Sequence, residues 1–263
     1  MIQILLAVAI LLAVGVLSAL ILSLASKYMG IKPDETVRKV REHLPGANCG
    51  ACGFTGCDAY AEALAGRTVK TTLCIPGGSD VAMKLAEVLG TEAGEVGDVP
   101  VAYVHCNGTD GAVDNVAEFD GVGSCKAMCL TCGGPKSCKY GCLGCGDCAD
   151  ACPVGAICIK SGVARVNPDI CIGCGVCIRT CPKHIISFVP RGAVVSIACS
   201  SHDTGAVTRK KCKNGCIACK KCEKACPTGA VTVKNNLSEI DYGKCISCGA
   251  CAEVCPVNCI ERL

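Results

Sequence analysis

Four cysteine-rich stretches decide the fold of this chain. They read KSCKYGCLGCGDCADACPVGAI (136–157), DICIGCGVCIRTCPKHII (169–186), KKCKNGCIACKKCEKACPTGAV (210–231) and GKCISCGACAEVCPVNCI (243–260). Each contains the pattern C-x2-C-x2-C-x3-C-P, and the second pair repeats the first at an offset of 74 residues. Ten cysteines coincide at that offset, which indicates a duplicated unit with two such stretches in each copy.

The cysteine spacing predicts iron–sulfur clusters. It is the signature of bacterial ferredoxins with two [4Fe–4S] clusters, in which the fourth cysteine of each run ligates the cluster of the other run. Zinc ribbons use two C-x2-C pairs instead. The predicted ligand sets therefore cross between the two runs of each unit. They are Cys142, Cys145, Cys148 with Cys181; Cys171, Cys174, Cys177 with Cys152; Cys216, Cys219, Cys222 with Cys255; and Cys245, Cys248, Cys251 with Cys226.

Short antiparallel strand pairs are predicted beside these cysteine loops. Segments 156–160 and 163–166 form one pair, and segments 230–234 and 237–241 form the other, each around a two-residue turn. The proline after each fourth cysteine is expected to end its segment, because proline cannot continue a helix.

A further cysteine site is predicted near the N-terminus, in LPGANCGACGFTGCDAYAEALAGRTVKTTLCIPGG (44–78). Its candidate ligands are Cys49, Cys52, Cys57 and Cys74, with a helix from Cys57 to about Gly66 before the last ligand. The interleaved glycines allow backbone N–H groups to approach sulfur, which favours an iron–sulfur cluster. Tetrahedral zinc is the alternative for four thiolates.

The composition supports metal as the agent that stabilises the fold. The chain has 29 cysteines among 263 residues, three Phe and no Trp, so large core-forming side chains are scarce. This argues against a large Rossmann or barrel enzyme. Charged residues make up 19% and nearly balance, which argues against disorder. Disulfides or metal must then replace part of the apolar core.

The uncharged N-terminal run, residues 1–26, predicts a transmembrane helix. As a helix it would extend about 39 Å, enough to cross a bilayer core. A cleaved signal peptide is the alternative, but it would need a basic first region, which is absent. The basic residues after the run predict that the cysteine-rich part lies in the cytoplasm, where disulfides are rare. They are Lys27, Lys32, Arg38, Lys39 and Arg41.

Nine cysteines lie outside the predicted ligand sets. Cys158 and Cys259 are expected to be small core residues on apolar strands. Cys138 and Cys212 stand four residues before a first ligand, and could replace a ligand or hydrogen-bond a cluster. Cys106, Cys125, Cys129 and Cys132 could build a sixth cluster or be packing residues and free thiols, so the expected number of clusters is five or six. Cys199 is also left over and coincides with Cys125 at the repeat offset.

No other enzyme site is predicted. The chain contains no P-loop and no strand-led G-x-G-x-x-G, and its four histidines are scattered. Basic residues are not interleaved with aromatics, so nucleic-acid binding is not expected. A basic stretch in the second unit is either a solvated face or a docking surface for an acidic ferredoxin. It contains Arg209, Lys210, Lys211, Lys213, Lys220, Lys221 and Lys224.

Nearly the whole chain resembles the B subunit of the Rnf electron-transport complex. The resemblance is carried by the apolar N-terminal run, by LPGANCGACGFTGC…CIPGG and by the repeats. The segments SCKAM…GGPKSCKYGCLGCGDC and VVSIACSS…CKNGCIACKKC resemble the clostridial type. The resemblance implies that the chain is one component of an ion-translocating ferredoxin:NAD⁺ oxidoreductase, and that it accepts electrons from reduced ferredoxin and passes them to membrane and flavin subunits. It also makes Cys138 an alternative ligand to Cys145.

Together, these observations predict an α+β protein in the cell (inner) membrane with five parts. They are a single transmembrane helix (1–26), a small helical [4Fe–4S] domain (27–93), a linker with extra cysteines (94–134) and two tandem ferredoxin-like two-cluster domains (135–191 and 192–263). One alternative is a polyferredoxin subunit of a membrane hydrogenase or another reductase. Another is a zinc-stabilised interaction module tethered to the membrane.

Overall fold

The computed structural model of the chain describes residues 2–29 and 34–263. Helix α1 covers Ile2–Met29. Among the described residues, no helix is both long and apolar enough to cross a membrane. On this finding, the transmembrane helix predicted for residues 1–26 is wrong.

A small helical unit follows. It consists of α2 (Glu35–His43), α3 (Cys57–Ala65) and α4 (Gly78–Leu89), with two short 3₁₀ turns, Thr71–Leu73 and Ile75–Gly77, between α3 and α4. The helix predicted from Cys57 is thus confirmed. Val40, Tyr60, Leu64 and Leu85 are fully buried and pack together, which gives this unit an apolar core of its own.

The first ferredoxin-like unit is built from two strand pairs and short helices. They are β1 (Val101–Val104), α5 (Cys125–Thr131), α6 (Asp147–Asp150), β2 (Ile157–Lys160), β3 (Val163–Val166), α7 (Val176–Thr180) and β4 (Ile186–Val189). Strand β1 pairs antiparallel with β4, and β2 pairs antiparallel with β3. Ser161 and Gly162 connect β2 to β3 with φ angles of 47° and 71°, as a two-residue hairpin turn requires.

The second unit repeats this plan. Its elements are β5 (Val195–Ile197), α8 (Gly205–Lys211), α9 (Lys221–Ala225), β6 (Val231–Lys234), β7 (Leu237–Ile240), α10 (Ala250–Glu253) and β8 (Ile260–Arg262). Strand β5 pairs antiparallel with β8, and β6 with β7. The two hairpins predicted beside the cysteine loops, β2–β3 and β6–β7, are therefore confirmed.

Each unit begins with a strand that ends just before a cysteine. VAYVHC (101–106) and VVSIAC (194–199) lie 93 residues apart rather than 74. The N–H of His105 donates to Ile185 O (2.7 Å), and the N–H of Ala198 donates to Cys259 O (2.8 Å), so the two segments occupy equivalent places. Strand β1 therefore reaches the first unit from the stretch that the sequence predicts as a linker.

Thiols form a large part of both ferredoxin-like cores. In the second unit, five buried cysteines pack with four buried aliphatic residues. They are Cys199, Cys216, Cys222, Cys251 and Cys259, with Val195, Ile197, Val231 and Ile260. In the first unit, five buried cysteines pack with ten buried aliphatic residues, all of them alanine, valine or isoleucine. The second core in particular holds little apolar volume besides sulfur, so we expect its stability to depend on what the sulfur atoms bind.

Candidate iron–sulfur sites

Three cavities in the ferredoxin-like units are lined by thiols from both cysteine runs of one unit. They are cavity A (Cys125, Cys142, Cys148, Cys181), cavity B (Cys152, Cys171, Cys174, Cys177) and cavity C (Cys216, Cys219, Cys222, Cys255, and also Cys259). In all three, the cysteine that precedes proline joins thiols of the other run. Cavities B and C bring together complete predicted ligand sets.

The short helices place the third cysteine of each run against the core. Helices α6, α7 and α10 follow Gly146, Gly175 and Gly249, whose φ angles are 99°, 71° and 79°. This left-handed conformation turns the chain from the cysteine loop into the helix, and glycine adopts it without steric cost. Lys220 occupies the same conformation before α9, with a φ of 59°. A non-glycine residue there carries a strain of roughly 1 kcal/mol.

Backbone N–H groups point at the sulfur of the cysteines that precede proline. Ala156 N–H donates to Cys152 Sγ, and Cys259 N–H donates to Cys255 Sγ, both at 3.3 Å. Such donors favour the thiolate over the thiol and tune the potential of a cluster bound there.

The fourth predicted ligand set of the repeats lies in the second core. Cys251 is buried, Cys226 and Cys245 pack partly buried against the same core, and Cys248 is exposed. Burial raises the pKa of the Cys251 thiol. Ser247 N–H donates to Cys245 Sγ at 3.4 Å. Three of the four cysteines, Cys226, Cys245 and Cys251, therefore share the second core.

Cavity A differs from its predicted lining at one position. Cys125 lines the cavity, whereas Cys145 lies beside it with its Sγ 4.0 Å from Met128 Sδ. Burial raises the pKa of Cys145 to about 11, and the neighbouring Cys125 contributes to that rise. Cys138, the alternative to Cys145 that the resemblance suggests, lines a different cavity.

Asp147 holds Cys125 in place. Its Oδ1 accepts a hydrogen bond from Cys125 N–H (2.7 Å), and its Oδ2 accepts from Lys126 N–H (3.1 Å) and from Ser124 Oγ (2.9 Å). Burial disfavours the charged carboxylate, but these donors outweigh it and lower the pKa of Asp147. The start of α6 thereby fixes the start of α5, a contact that no spacing in the sequence indicates.

In the helical unit, Cys52, Cys57 and Cys74 of the predicted site pack against the same apolar core. Asn48 Oδ1 accepts a hydrogen bond from Cys57 N–H at 2.9 Å, at the first residue of α3. Burial raises the pKa of the Cys74 thiol, and nearby Cys57 and Cys49 raise it further, as expected for thiols that share one site. Arg179 Nη2 on α7 donates to Cys49 O at 2.8 Å, which ties this site to the first ferredoxin-like unit.

The remaining cysteines divide into three groups. Cys259 is buried, as predicted, and its thiol donates a hydrogen bond that lowers the pKa of Cys216 to about 6. Cys158 is exposed, so the prediction of a core residue is wrong: neighbouring Ile157 takes the inward position on β2, and successive side chains alternate.

Cys106 and Cys125 line different cavities, and Cys132 is exposed. The cluster suggested for them together with Cys129 is therefore not assembled.

The chemistry of the donors that line these cavities indicates which cofactor they suit. Thiolates are soft donors that bind iron of iron–sulfur clusters, and four of them around one cavity match a [4Fe–4S] cluster. The donor set and its arrangement therefore fit this cofactor.

Known families match the segments that carry these sites. The family described as "Putative Fe-S cluster" matches residues 44–76. A family described as "4Fe-4S dicluster domain" matches residues 141–185 and 215–259, and a second one with that description matches residues 170–231. The [4Fe–4S] cofactor expected from the spacing is thus supported by family as well as by the donor set.

Curated relatives match most of the chain. The B subunit of an ion-translocating oxidoreductase complex of Methanosarcina acetivorans is 39% identical, over 90% of both chains. The B subunit of the Na⁺-translocating ferredoxin:NAD⁺ oxidoreductase complex of Acetobacterium woodii is 42% identical, over 94% of this chain and 74% of its own. The proton-translocating counterpart of Clostridium ljungdahlii is 38% identical, over 87% of this chain and 81% of its own.

Proposed function

Because the chain belongs to the family of B subunits of ion-translocating ferredoxin:NAD⁺ oxidoreductase (Rnf) complexes, we propose that it accepts electrons from reduced ferredoxin and relays them through at least five [4Fe–4S] clusters. Its 4Fe-4S ferredoxin domains give it an electron-transfer role as one subunit of a membrane-associated oxidoreductase. We assign flavin and nicotinamide binding to other subunits, because this chain carries no motif for either.

The observation that carries this proposal is the meeting of thiols from different cysteine runs in single cavities. We propose four ligand sets without change: Cys49, Cys52, Cys57, Cys74; Cys152, Cys171, Cys174, Cys177; Cys216, Cys219, Cys222, Cys255; and Cys226, Cys245, Cys248, Cys251. In the fifth set, Cys142, Cys148 and Cys181 are joined by Cys125 or Cys145. The lining of cavity A favours Cys125.

The bound clusters supply one-electron transfer, and the chain determines how they do so. N–H groups such as those of Ala156 and Cys259 donate to the ligand sulfurs and stabilise negative charge there. Buried aliphatic residues pack against the buried thiols of each unit and shield them from water. Burial raises the pKa of several of these thiols, to about 12 for Cys148 and about 11 for Cys177, so they carry protons at neutral pH. Because only thiolates ligate a cluster, these protons must leave when it binds.

The contacts between the cluster sites suggest the order in which electrons pass along the chain. Cys49 lies beside cavity B through the hydrogen bond from Arg179, so electrons could pass between the helical unit and the first ferredoxin-like unit there. Cys148 and Cys152 lie one helical turn apart on α6 and its end, which joins cavities A and B. We propose that ferredoxin delivers electrons to the opposite end, in the second unit.

The second unit offers a basic surface beside exposed ligand thiols. Cys219 and Cys248 are exposed, and exposed Lys220 and Lys221 directly follow Cys219. Lys210 is exposed as well. Two other lysines of the basic stretch have partners: Lys211 Nζ pairs with Asp203 Oδ2 at 2.8 Å, and Lys213 Nζ donates to Gly111 O at 3.0 Å. Lys210, Lys220 and Lys221, together with the exposed Arg209 and Lys224, are therefore the basic residues that an acidic ferredoxin would meet.

Charge reversal tests this docking surface. In the assembled complex, we expect the double variant Lys220→Glu/Lys221→Glu to lower kcat/KM for reduced ferredoxin about tenfold or more at low salt, and to weaken its salt dependence. Stopped-flow oxidation of ferredoxin over a range of ionic strength measures both. Lys70→Glu/Lys84→Glu makes the same charge change on exposed residues of the helical unit and serves as the control. Identical rates and salt slopes in the two variants would refute docking at this surface.

A further inference from the structure

Four cysteines outside the five ligand sets meet between the two ferredoxin-like units. Cys106, Cys138, Cys199 and Cys212 line one cavity, here called the inter-unit cavity. Each unit contributes two of them. Three are buried, and Cys138 is half-buried. The number and kind of donors equal those at each of the five proposed cluster sites.

The units contribute these cysteines in equivalent ways. Cys138 and Cys212 are related by the repeat offset of 74 residues, and Cys106 and Cys199 each follow the first strand of their unit. Two N–H groups point at the sulfur of Cys106 and two at that of Cys199. The donors are Gly108 and Cys142 for Cys106, and Ser201 and Cys216 for Cys199, all at 3.3 or 3.4 Å. The same kind of donor reaches the sulfurs of Cys152 and Cys255.

Space is kept open between sulfurs of the two units. A methyl carbon added at Gly108 would lie 3.0 Å from Val113 Cγ2, 3.4 Å from Cys106 Sγ and 4.0 Å from Cys212 Sγ. The two sulfurs and Val113 thus face one spot that any other residue at position 108 would fill. The walls are fixed by hydrogen bonds between the units, such as Asn107 N–H to Ala198 O (2.9 Å).

A buried lysine gives this cavity a positive charge. Lys136 lines it and is only 9% exposed, and its Nζ donates to Gly108 O (2.9 Å) and Gly162 O (2.7 Å). Both of these acceptors are neutral, and a buried cation is costly without a nearby negative charge. Four thiolates on an oxidised [4Fe–4S] core carry a net charge of about −2, which would supply that partner.

From these observations we propose that Cys106, Cys138, Cys199 and Cys212 ligate a sixth [4Fe–4S] cluster, which connects the two ferredoxin-like units. Its ligands accept hydrogen bonds from the amides of Cys142 and Cys216, which line cavities A and C. A cluster held by these four cysteines would stand between the sites of cavities C and A, and would pass one electron from one to the other with no bond made and no proton moved. The proposal rests on the proposed function only in that this chain binds clusters.

Iron, acid-labile sulfide and zinc in the anaerobically purified full chain test the proposal. We expect about 24 iron ions in the wild type and about 20 in Cys106→Ser and in Cys199→Ser, with sulfide falling in parallel and no zinc. Cys132→Ser and Cys158→Ser remove exposed cysteines outside the cavities and should keep about 24. Retention of about 20 iron ions also shows that the other five sites have folded.

Three results would refute the proposed sixth cluster. The first is an iron content of Cys106→Ser and Cys199→Ser equal to that of the wild type. The second is a wild type with only about 20 iron ions, and the third is one zinc ion in the wild type that these two variants lose. If a serine variant loses all its iron, Gly108→Val decides, because it keeps every cysteine and fills the space between the sulfurs. It should lose about four iron ions, and Gly123→Val, with nothing within 4 Å of the added carbon, should lose none. A wild-type chain without iron would overturn the proposed function itself.

Discussion

At the scale of single residues, the surroundings of a thiol decide its role more than its place in a motif. Cys125 stands outside the C-x2-C-x2-C-x3-C-P pattern, yet it lines cavity A because Asp147 accepts a hydrogen bond from its N–H. Cys145 stands inside the pattern but lies next to Met128. The left-handed conformations of Gly144 and Gly146 on either side of Cys145, with φ angles of 78° and 99°, accompany this placement.

Serine variants distinguish the two candidate ligands of cavity A. We expect Cys125→Ser to lose about four iron ions or to yield a cluster with three irons, whereas Cys145→Ser should keep the wild-type count. The reason is that only Cys125 lines the cavity. Iron analysis and electron paramagnetic resonance of the oxidised chain measure the outcome. The opposite pattern, in which only Cys145→Ser loses iron, would show that Cys145 is the fourth ligand, as the repeat predicts.

The ligand chemistry could be predicted from the sequence because spacing alone encodes it. Three cysteines within seven residues and a fourth before proline allow few other uses, and cavities B and C contain those sets. The position of Cys106 could not be predicted, because its counterpart Cys199 lies 93 residues away while the other cysteines repeat at 74. At the latter offset Cys199 coincides with Cys125, which points to the wrong partner.

At the scale of secondary-structure elements, local signals were sufficient for hairpins and insufficient for long-range pairs. Strands β2 and β3 are joined by a two-residue turn, so alternation and turn residues predict them. Strand β1 pairs with β4 more than 80 residues later, and four-residue strands carry too little pattern to reveal such a partner. The register of β1 nevertheless sets where Cys106 enters the inter-unit cavity.

A half-buried ion pair joins these elements across the two units. Glu261 on β8 accepts hydrogen bonds from Tyr103 Oη on β1 (2.7 Å) and from Arg165 Nη1 on β3 (3.0 Å). We expect Glu261→Ala to destabilise the chain by about 2 kcal/mol, because it leaves a charged and a polar group without their partner. A lower apparent Tm of the cluster-loaded chain at a fixed scan rate measures this.

Glu253→Ala is the matched control for that variant. Its carboxylate also pairs with an arginine, Arg262, at 2.6 Å, but both side chains are more than half exposed. Exposed pairs of this kind contribute about 0.5 kcal/mol or less. Equal Tm shifts for the two variants would show that the pair at Glu261 does not hold the units together.

At the scale of the whole molecule, two kinds of core stand side by side. The helical unit packs Val40, Tyr60, Leu64 and Leu85 in the ordinary apolar way. The ferredoxin-like units bury mainly cysteine, valine, isoleucine and alanine around their cavities. In these units we expect cluster ligation to provide the stability that large side chains would otherwise provide, so that the same groups support folding and electron transfer.

Amide hydrogen exchange of the cluster-loaded and the chelator-stripped chain, followed by mass spectrometry under anaerobic conditions, tests this central claim most directly. Removal of iron and sulfide should abolish the protection of β1–β8, while α2–α4 should keep a larger part of theirs because of their own apolar core. Undiminished protection of β1–β8 in the iron-free chain would contradict the account.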